Sequence, residues 1–265
     1  MPTVRVAVNG AGGRMGQRIL SIAATLPEFQ VVGAFEYEKS PWVGKDLVLS
    51  DTKSIKIEAL TAHSLKDRGI LIDFSSPAGT LAAVTHTSAA GWGLVIGTTG
   101  LDDSMLDKIK KFSETMPIVH SSNMSIGVNL ILSLVSKAAA SLGKDYDIEI
   151  TEGHHRHKKD SPSGTALMLA EAIAQAKRWD LKKVLKYRHE GKSENERSHE
   201  EIGMQVIRAG EIVGDHTVLF AGSSETIEIT HRAQSRDAFA RGSLVAAAFL
   251  ADKSKGLFNM GDVLK

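Results

Sequence analysis

In the first half of the chain, short β-branched runs alternate with helical stretches. Val4 to Val8, Gln30 to Phe35, Ile70 to Phe74, Leu94 to Ile96 and Ile118 to His120 read as strands, apolar runs bounded by turn residues. Between them, Gly13 to Leu26, Pro77 to Ala90 and Asp102 to Met116 carry apolar residues at helical spacing. Phe112, with Lys108, Lys110 and Lys111 around it, reads as the core face and solvated face of one such helix. Strands alternating with helices imply right-handed crossovers, hence a parallel sheet buried on both faces.

After Asn123 the pattern changes. A long helical segment, Ile126 to Leu142, leads into a strand at Tyr146 to Thr151, a polar insert, and a helix from Gly164 to Ala176. Met204 to Ala209, His216 to Phe220 and Thr226 to His231, separated by glycine-containing turns, read as an antiparallel meander. Phe239 to Leu250 then resumes an alanine-rich helical pattern able to return to the first domain. The expected α/β architecture is a Rossmann-like parallel-sheet domain from residues 1–125 and 236–265, with a second α+β domain, mainly antiparallel, from 126–235. Lys182 to Glu201 is polar and aperiodic and reads as a mobile surface loop.

Composition narrows the function. With 265 residues, 42% hydrophobic and 24% charged, the chain can bury a substantial core. Lys plus Arg (32) balance Asp plus Glu (31) at net +1, which gives no reason to expect a nucleic acid or a membrane as partner. No cysteine is present, so disulfides, thiolate metal sites and cysteine nucleophiles are excluded. The N-terminus runs straight into a strand pattern without a signal peptide, and Leu244 to Ala251, among the longest apolar runs, falls well short of the roughly 18 residues a membrane span needs. A cytoplasmic protein is expected.

Gly10-Ala11-Gly12-Gly13-Arg14-Met15-Gly16 joins the first strand to the first helix, where backbone N–H groups and the helix dipole favour a pyrophosphate. The usual fingerprint is G-x-G-x-x-G; here the last glycine falls one place late, at Gly16. A tight strand-to-helix turn would need the same glycines. Glu36 favours the nucleotide reading: it ends the second strand, 20 residues after Gly16, where a carboxylate can accept from ribose hydroxyls. Gly97-Thr98-Thr99-Gly100 and Asp73-Phe74-Ser75-Ser76-Pro77 end two further strands in the same way, and carboxyl ends of parallel strands are where such sheets hold ligands.

The most unusual segment is Glu152-Gly153-His154-His155-Arg156-His157-Lys158-Lys159-Asp160-Ser161-Pro162-Ser163-Gly164-Thr165. A zinc site lacks H-E-x-x-H spacing, and three cations crowd the imidazoles. A nucleic-acid patch would need interleaved aromatics. A small, multiply charged anion fits: Lys158 supplies a point charge, and Ser163, Gly164 and Thr165 at a helix start offer backbone donors. Histidine adds a proton donor that titrates near neutral pH. A solvated basic loop is the plain alternative.

At these residues the chain resembles the dihydrodipicolinate reductases, nicotinamide-dependent enzymes of the diaminopimelate route to lysine. Their E-[AG]-H-H-R-H-K-x-D-x-P-S-G-T-A signature matches Glu152 to Ala166. The likeness extends to Gly10–Gly16, Glu36, Gly97–Gly100, Asn123 with Ser125–Asn129, Arg208–Gly210 and Gly256–Phe258, essentially the whole chain. The resemblance implies that His154 is the acid/base residue and Lys158 a second donor. It further implies that His155, Lys158, Ser163, Gly164 and Thr165 hold the two substrate carboxylates. Cofactor contacts carry over to Gly10, Ala11, Gly12, Gly13, Arg14, Met15, Glu36, Gly97, Thr98, Thr99, Ser121, Ser122, Asn123 and Met124, and no metal is implied. The implied reaction is hydride transfer from NADH or NADPH to a cyclic imine dicarboxylate, with a proton added at the neighbouring carbon, usually in a homotetramer built through the C-terminal-domain sheets.

Two positions depart from the family pattern. Tyr37 stands where members that use the phosphorylated cofactor often carry an arginine, and Met124 where others have an aromatic. No Tyr is followed four residues later by Lys, the pair of short-chain dehydrogenases. A non-catalytic nucleotide-sensing regulator would explain the glycine loop and Glu36, but not an anion site rich in histidine.

Overall fold

The computed structural model describes residues 3–187 and 196–265. β1 (Val4–Asn9) enters the glycine turn and α1 (Arg14–Ala23); β2 (Phe29–Glu36), β3 (Asp46–Ser50) and β4 (Lys53–Ala59) follow. β5 (Ile70–Asp73), α2 (Pro77–Ala90), β6 (Gly93–Ile96), α3 (Asp103–Ser113) and β7 (Pro117–His120) complete the alternating half. Then come α4 (Ile126–Ser141), β8 (Asp147–His154), α5 (Gly164–Lys177), α6 (Leu181–Val184) and β9 (Leu185–Lys186). β10 (Ile202–Arg208), β11 (Asp215–Ala221), β12 (Thr226–Arg232), α7 (Asp237–Leu250), β13 (Gly256–Phe258) and α8 (Met260–Val263) close the chain. Two compact units result, 1–126 with 236–265, and 127–235.

In the first unit an eight-stranded sheet has the order β13-β7-β6-β5-β1-β2-β4-β3. Every pairing is parallel except β3 with β4. Alternation along each strand divides the core between two faces. Val6, Val8, Ile72, Val95 and Val119 pack with Ile19 and Leu20 of α1 and Leu244 and Ala247 of α7. Ala7, Leu71, Leu94, Ile96 and Ile118 pack instead with Ala83 and Val84 of α2 and Ile109 of α3. This double covering is why the strands read as continuous apolar runs. α2 starts where Ser76 accepts from the Gly79 amide ahead of Pro77, and it stops at Gly91 in the left-handed region.

Three strands here were absent from the sequence expectation. β3 and β4 bury or half-bury Leu47, Leu49, Ile55 and Ile57, but Val48 and the charged and serine side chains around them are mostly exposed, so neither reads as a strand covered on both faces. β13, only three residues long, pairs with β7 at the far edge.

The second unit holds a five-stranded sheet, β12-β11-β8-β10-β9, whose helix-facing side contains Ile148, Ile150, Met204, Val218 and Phe220 packed against α4 and α5 residues such as Val135, Leu169 and Ile173. The expected meander is corrected in one respect. β11 and β12 form the antiparallel hairpin, but β8 lies between β10 and β11, parallel to β10 and antiparallel to β11. Neighbours in sequence are therefore not neighbours in the sheet, because residues 209–214 carry the chain across β8. The expected loop at 182–201 contains α6 and β9 at its start, while its residues 188–195 lie outside the described part. Near its end Arg197 bonds Asp147, Glu149 and the Ile148 carbonyl. No helix among the described residues is long and apolar enough to cross a membrane.

Candidate active site

The first unit gathers its candidate residues at the carboxyl ends of β1, β2, β5, β6 and β7. Gly10 has φ +82°, and a Cβ there would stand 2.4 Å from the Phe74 carbonyl oxygen. At Gly16 a Cβ would stand 2.1 Å from the Gly10 carbonyl oxygen, so this late glycine is what lets α1 approach the turn. Glu36, nearly buried, accepts the Gly12 amide at 3.0 Å and so fastens the glycine loop to β2. Arg14 is exposed at the start of α1.

Beneath the loop lies a polar knot that sequence reading did not single out as a unit. The buried Asp73 carboxylate accepts from Asn9 Nδ2 (2.7 Å), Ser75 Oγ (2.6 Å), Thr80 Oγ1 (2.5 Å) and Thr98 Oγ1 (2.7 Å). Burial pushes its pKa up, against the lowering effect of these four bonds. The knot ties the ends of β1, β5 and β6 together, and it commits the Thr98 side chain to structure rather than to a ligand.

Two cavities open beside it. One of about 460 Å³ is lined by Glu36, Tyr37, Glu38, Leu60, Ser75 and Ala82, among others. A smaller one, about 270 Å³, is lined by Met15, Phe74, Gly97, Thr99, Ser122, Asn123, Met124, Arg236 and Phe239. Of the carried-over cofactor residues, Glu36 lines the first cavity and Met15, Gly97, Thr99, Ser122, Asn123 and Met124 line the second, while Gly10 to Arg14, Thr98 and Ser121 line neither; Asn9, Glu38, Phe74, Arg236 and Phe239 are lining residues outside that set. Ser121 Oγ donates to the Asn123 carbonyl oxygen and Asn123 Oδ1 accepts the Ser125 amide, which fixes this turn from within.

The second unit's site begins on β8. Ile148 and Ile150 face the core, and the same face continues into Glu152 and His154, so the period-two pattern turns from apolar to ionisable without leaving the interior. Glu152 is fully buried and accepts four donors. Arg208 at the end of β10 gives Nη1 to Oε2 (2.9 Å) and Nη2 to Oε1 (2.8 Å). The Ser163 amide reaches Oε1 at 2.9 Å, and His154 Nδ1 lies 2.6 Å from Oε2. These donors outweigh the effect of burial, and the Glu152 pKa is lowered. The reverse holds for His154: burial, with Lys158 and Arg208 nearby, lowers its pKa despite the bond to Glu152.

His216 of β11 stands opposite Glu152 in register, with its ring edge-on to His154 at 5.2 Å between centroids and its Nε2 3.2 Å from Ser163 Oγ. Burial, then repulsion from His154 whenever that ring is protonated, pull its pKa down to about 4, so it is neutral at physiological pH. Lys158 pairs with Asp160 at 2.8 Å, and Arg208 also holds the Asp160 carbonyl oxygen. The Ser163 amide serves Glu152, and its hydroxyl oxygen accepts from the Ala166 amide and so caps α5. Gly164 and Thr165 occupy the first positions of α5. His155 sits beside His157 at 6.2 Å, its Nδ1 buried without a protein partner among the described residues.

Comparison with known proteins gives the family. Residues 4–124 match the model for the N-terminal part of dihydrodipicolinate reductase, and 127–264 that for its C-terminal part. The 4-hydroxy-tetrahydrodipicolinate reductase of Nitrosospira multiformis is 44% identical over 100% of this chain and 98% of its own. The chain belongs to the dihydrodipicolinate reductase family. The enzyme of the same name from Polynucleobacter necessarius is 43% identical over 98% of both chains. A dipicolinate-bound dihydrodipicolinate reductase from Paenisporosarcina sp. TG-14 has the same fold, with TM-score 0.76 over 97% of each chain at 23% identity. The family member described here is thus an oxidoreductase of lysine and diaminopimelate biosynthesis that works with a nicotinamide cofactor on a small-molecule substrate. Nothing favours the non-catalytic sensor.

Proposed function

We propose that this reductase transfers hydride from NADH, and less well from NADPH, to the cyclic imine dicarboxylate of its relatives' reaction, with His154 donating the accompanying proton. The glycine-loop unit, 1–125 with 236–265, serves as the dinucleotide domain, and 126–235 as the substrate and assembly domain. The cavity beside Glu36 suits an adenosine, with Leu60 and Ala82 as apolar wall and Glu36 for ribose hydroxyls. The amides of the glycine loop and Arg14 suit the pyrophosphate, and the cavity between Met15, Gly97 and Asn123 suits the nicotinamide end. The bound cofactor supplies the hydride.

The chain's own contribution is charge and a proton. Lys158, His155 and the amides of Gly164 and Thr165 orient two carboxylates. His154, anchored at Nδ1, holds the exchangeable proton at Nε2 and meets negative charge as it develops on the substrate. Substrate carboxylates would offset Lys158 and favour the imidazolium, so the proton arrives with the ligand it serves. The carrying observation is the buried Glu152 beneath His154, a costly arrangement that orients one imidazole.

We also propose a homotetramer formed through the five-stranded sheet, where Thr151, Thr217 and Leu219 on the face away from the helices are only half-buried, and a cytoplasmic location beside the reduced nicotinamide pool. The reading is tested by cofactor oxidation at fixed NADH with and without the dicarboxylic imine. Oxidation that depends on the imine supports it, and oxidation indifferent to the imine refutes it.

A further inference from the structure

Glu152 is a carboxylate placed where the fold would otherwise put a third isoleucine in line with Ile148 and Ile150. An ionised carboxyl there needs strong compensation. It receives that from Arg208 and Ser163, which saturate Oε1 and hold the group still. An ionised carboxylate can only accept, so the 2.6 Å contact obliges His154 Nδ1 to carry a hydrogen. The remaining ring nitrogen, Nε2, bonds no protein group among the described residues and lies beside Gly214, where even a methyl group would come within 3.2 Å.

We propose that Glu152 is the positioning residue of the acid–base centre: it fixes His154 in the Nδ1–H tautomer and leaves Nε2 as the atom that exchanges the proton, while Arg208 holds the carboxylate in place. This rests on the reading of His154 as proton donor. The groups that face His154 are Glu152 on its own strand, Arg208 on β10, His216 on β11, and Lys158 with its partner Asp160 in the following loop; His231 of β12 lies beyond His216. Of these, Glu152 favours the imidazolium, and Lys158 and Arg208 disfavour it. Without Glu152, His154 would both turn more freely and hold its proton less well. The alternative is that Glu152 only pins β8, β10 and α5 together.

The experiment compares wild type, Glu152→Gln, the paired Glu152→Gln/Arg208→Gln, which leaves no guanidinium unpaired, and His154→Gln. The two Glu152 variants should lose about 10- to 100-fold in kcat at neutral pH, part of what a general acid supplies, while KM for the imine changes less than about threefold. Their alkaline limb of kcat should move to lower pH by about half a unit or more, with Glu152→Asp recovering part of the loss. ¹⁵N NMR of the wild type should show His154 protonated at Nδ1. An Nε2–H tautomer in the wild type would overturn the proposal, as would a folded paired variant with unaltered kcat and pH profile, or one whose kcat falls equally at every pH while KM rises. Full turnover by His154→Gln, with the Nδ1–H tautomer still observed, would instead remove the acid–base reading, so the two failures are distinguishable.

Discussion

Glu36 Oε1 accepts the backbone N–H of Gly12 at 3.0 Å, so the acidic residue at the end of β2 is fixed against the glycine loop. A carboxylate held there, with Glu38 and Tyr37 lining the same cavity, disfavours a 2′-phosphate. Lys45, a cation close enough in sequence to offset it, lies over the Trp42 ring at 5.1 Å. Catalytic efficiency with NADH should therefore equal or exceed that with NADPH. A tenfold advantage for NADPH, roughly 1.4 kcal/mol at the transition state, would mean that a cation enters this cavity.

The glycine loop gives a contrast within one protein. At Gly16 a Cβ would strike the Gly10 carbonyl oxygen at 2.1 Å, whereas at Gly164 nothing lies within 4 Å. Gly16→Ala should cost about 1–3 kcal/mol in urea unfolding, with weakened cofactor binding, and Gly164→Ala should leave stability within about 0.5 kcal/mol. Equal melting of the two would contradict the role given to Gly16.

Histidines buried in their neutral form make stability depend on pH with a definite sign. Burial lowers the folded pKa of His216 to about 4, and those of His154, His120 and His231 move the same way. Between the ordinary value near 6.5 and about 4 the unfolded chain binds more protons, so stability is complete above the upper limit and lost as pH falls through the window. His216 alone accounts for on the order of 3 kcal/mol. The midpoint of unfolding should fall on acidification across this range, and His216→Gln should flatten the slope; a slope unchanged in that variant would place the sensitivity elsewhere.

What the sequence disclosed depended on how local the signal was. β1, β5, β6 and β7 were legible because both of their faces are covered, which leaves unbroken apolar runs such as Ile70 to Ile72 and Leu94 to Ile96. β3 and β4 were not, since these half-exposed strands at the sheet edge break their apolar pattern, β4 with lysines and a serine around Ile55 and Ile57 and β3 with an exposed Val48 between Leu47 and Leu49. The position of β8 between β10 and β11 was hidden as well, because hydrophobic period gives a strand's faces and not its neighbours. In the site, the histidine cluster announced itself by density. Arg208 and His216 did not, lying 56 and 53 residues from the partners they meet, Glu152 and Ser163. The run Ile148, Ile150, Glu152, His154 was the one local clue that a buried face ends in chemistry.

The central claim is that His154 delivers the proton that accompanies hydride transfer. Steady-state turnover of His154→Gln, measured with the cofactor's dissociation constant on the same preparation, tests it most directly. The account predicts a fall in kcat of about two to four orders of magnitude with cofactor affinity changed less than about twofold. Turnover near the wild-type value, or loss of cofactor binding in step with turnover, would contradict it.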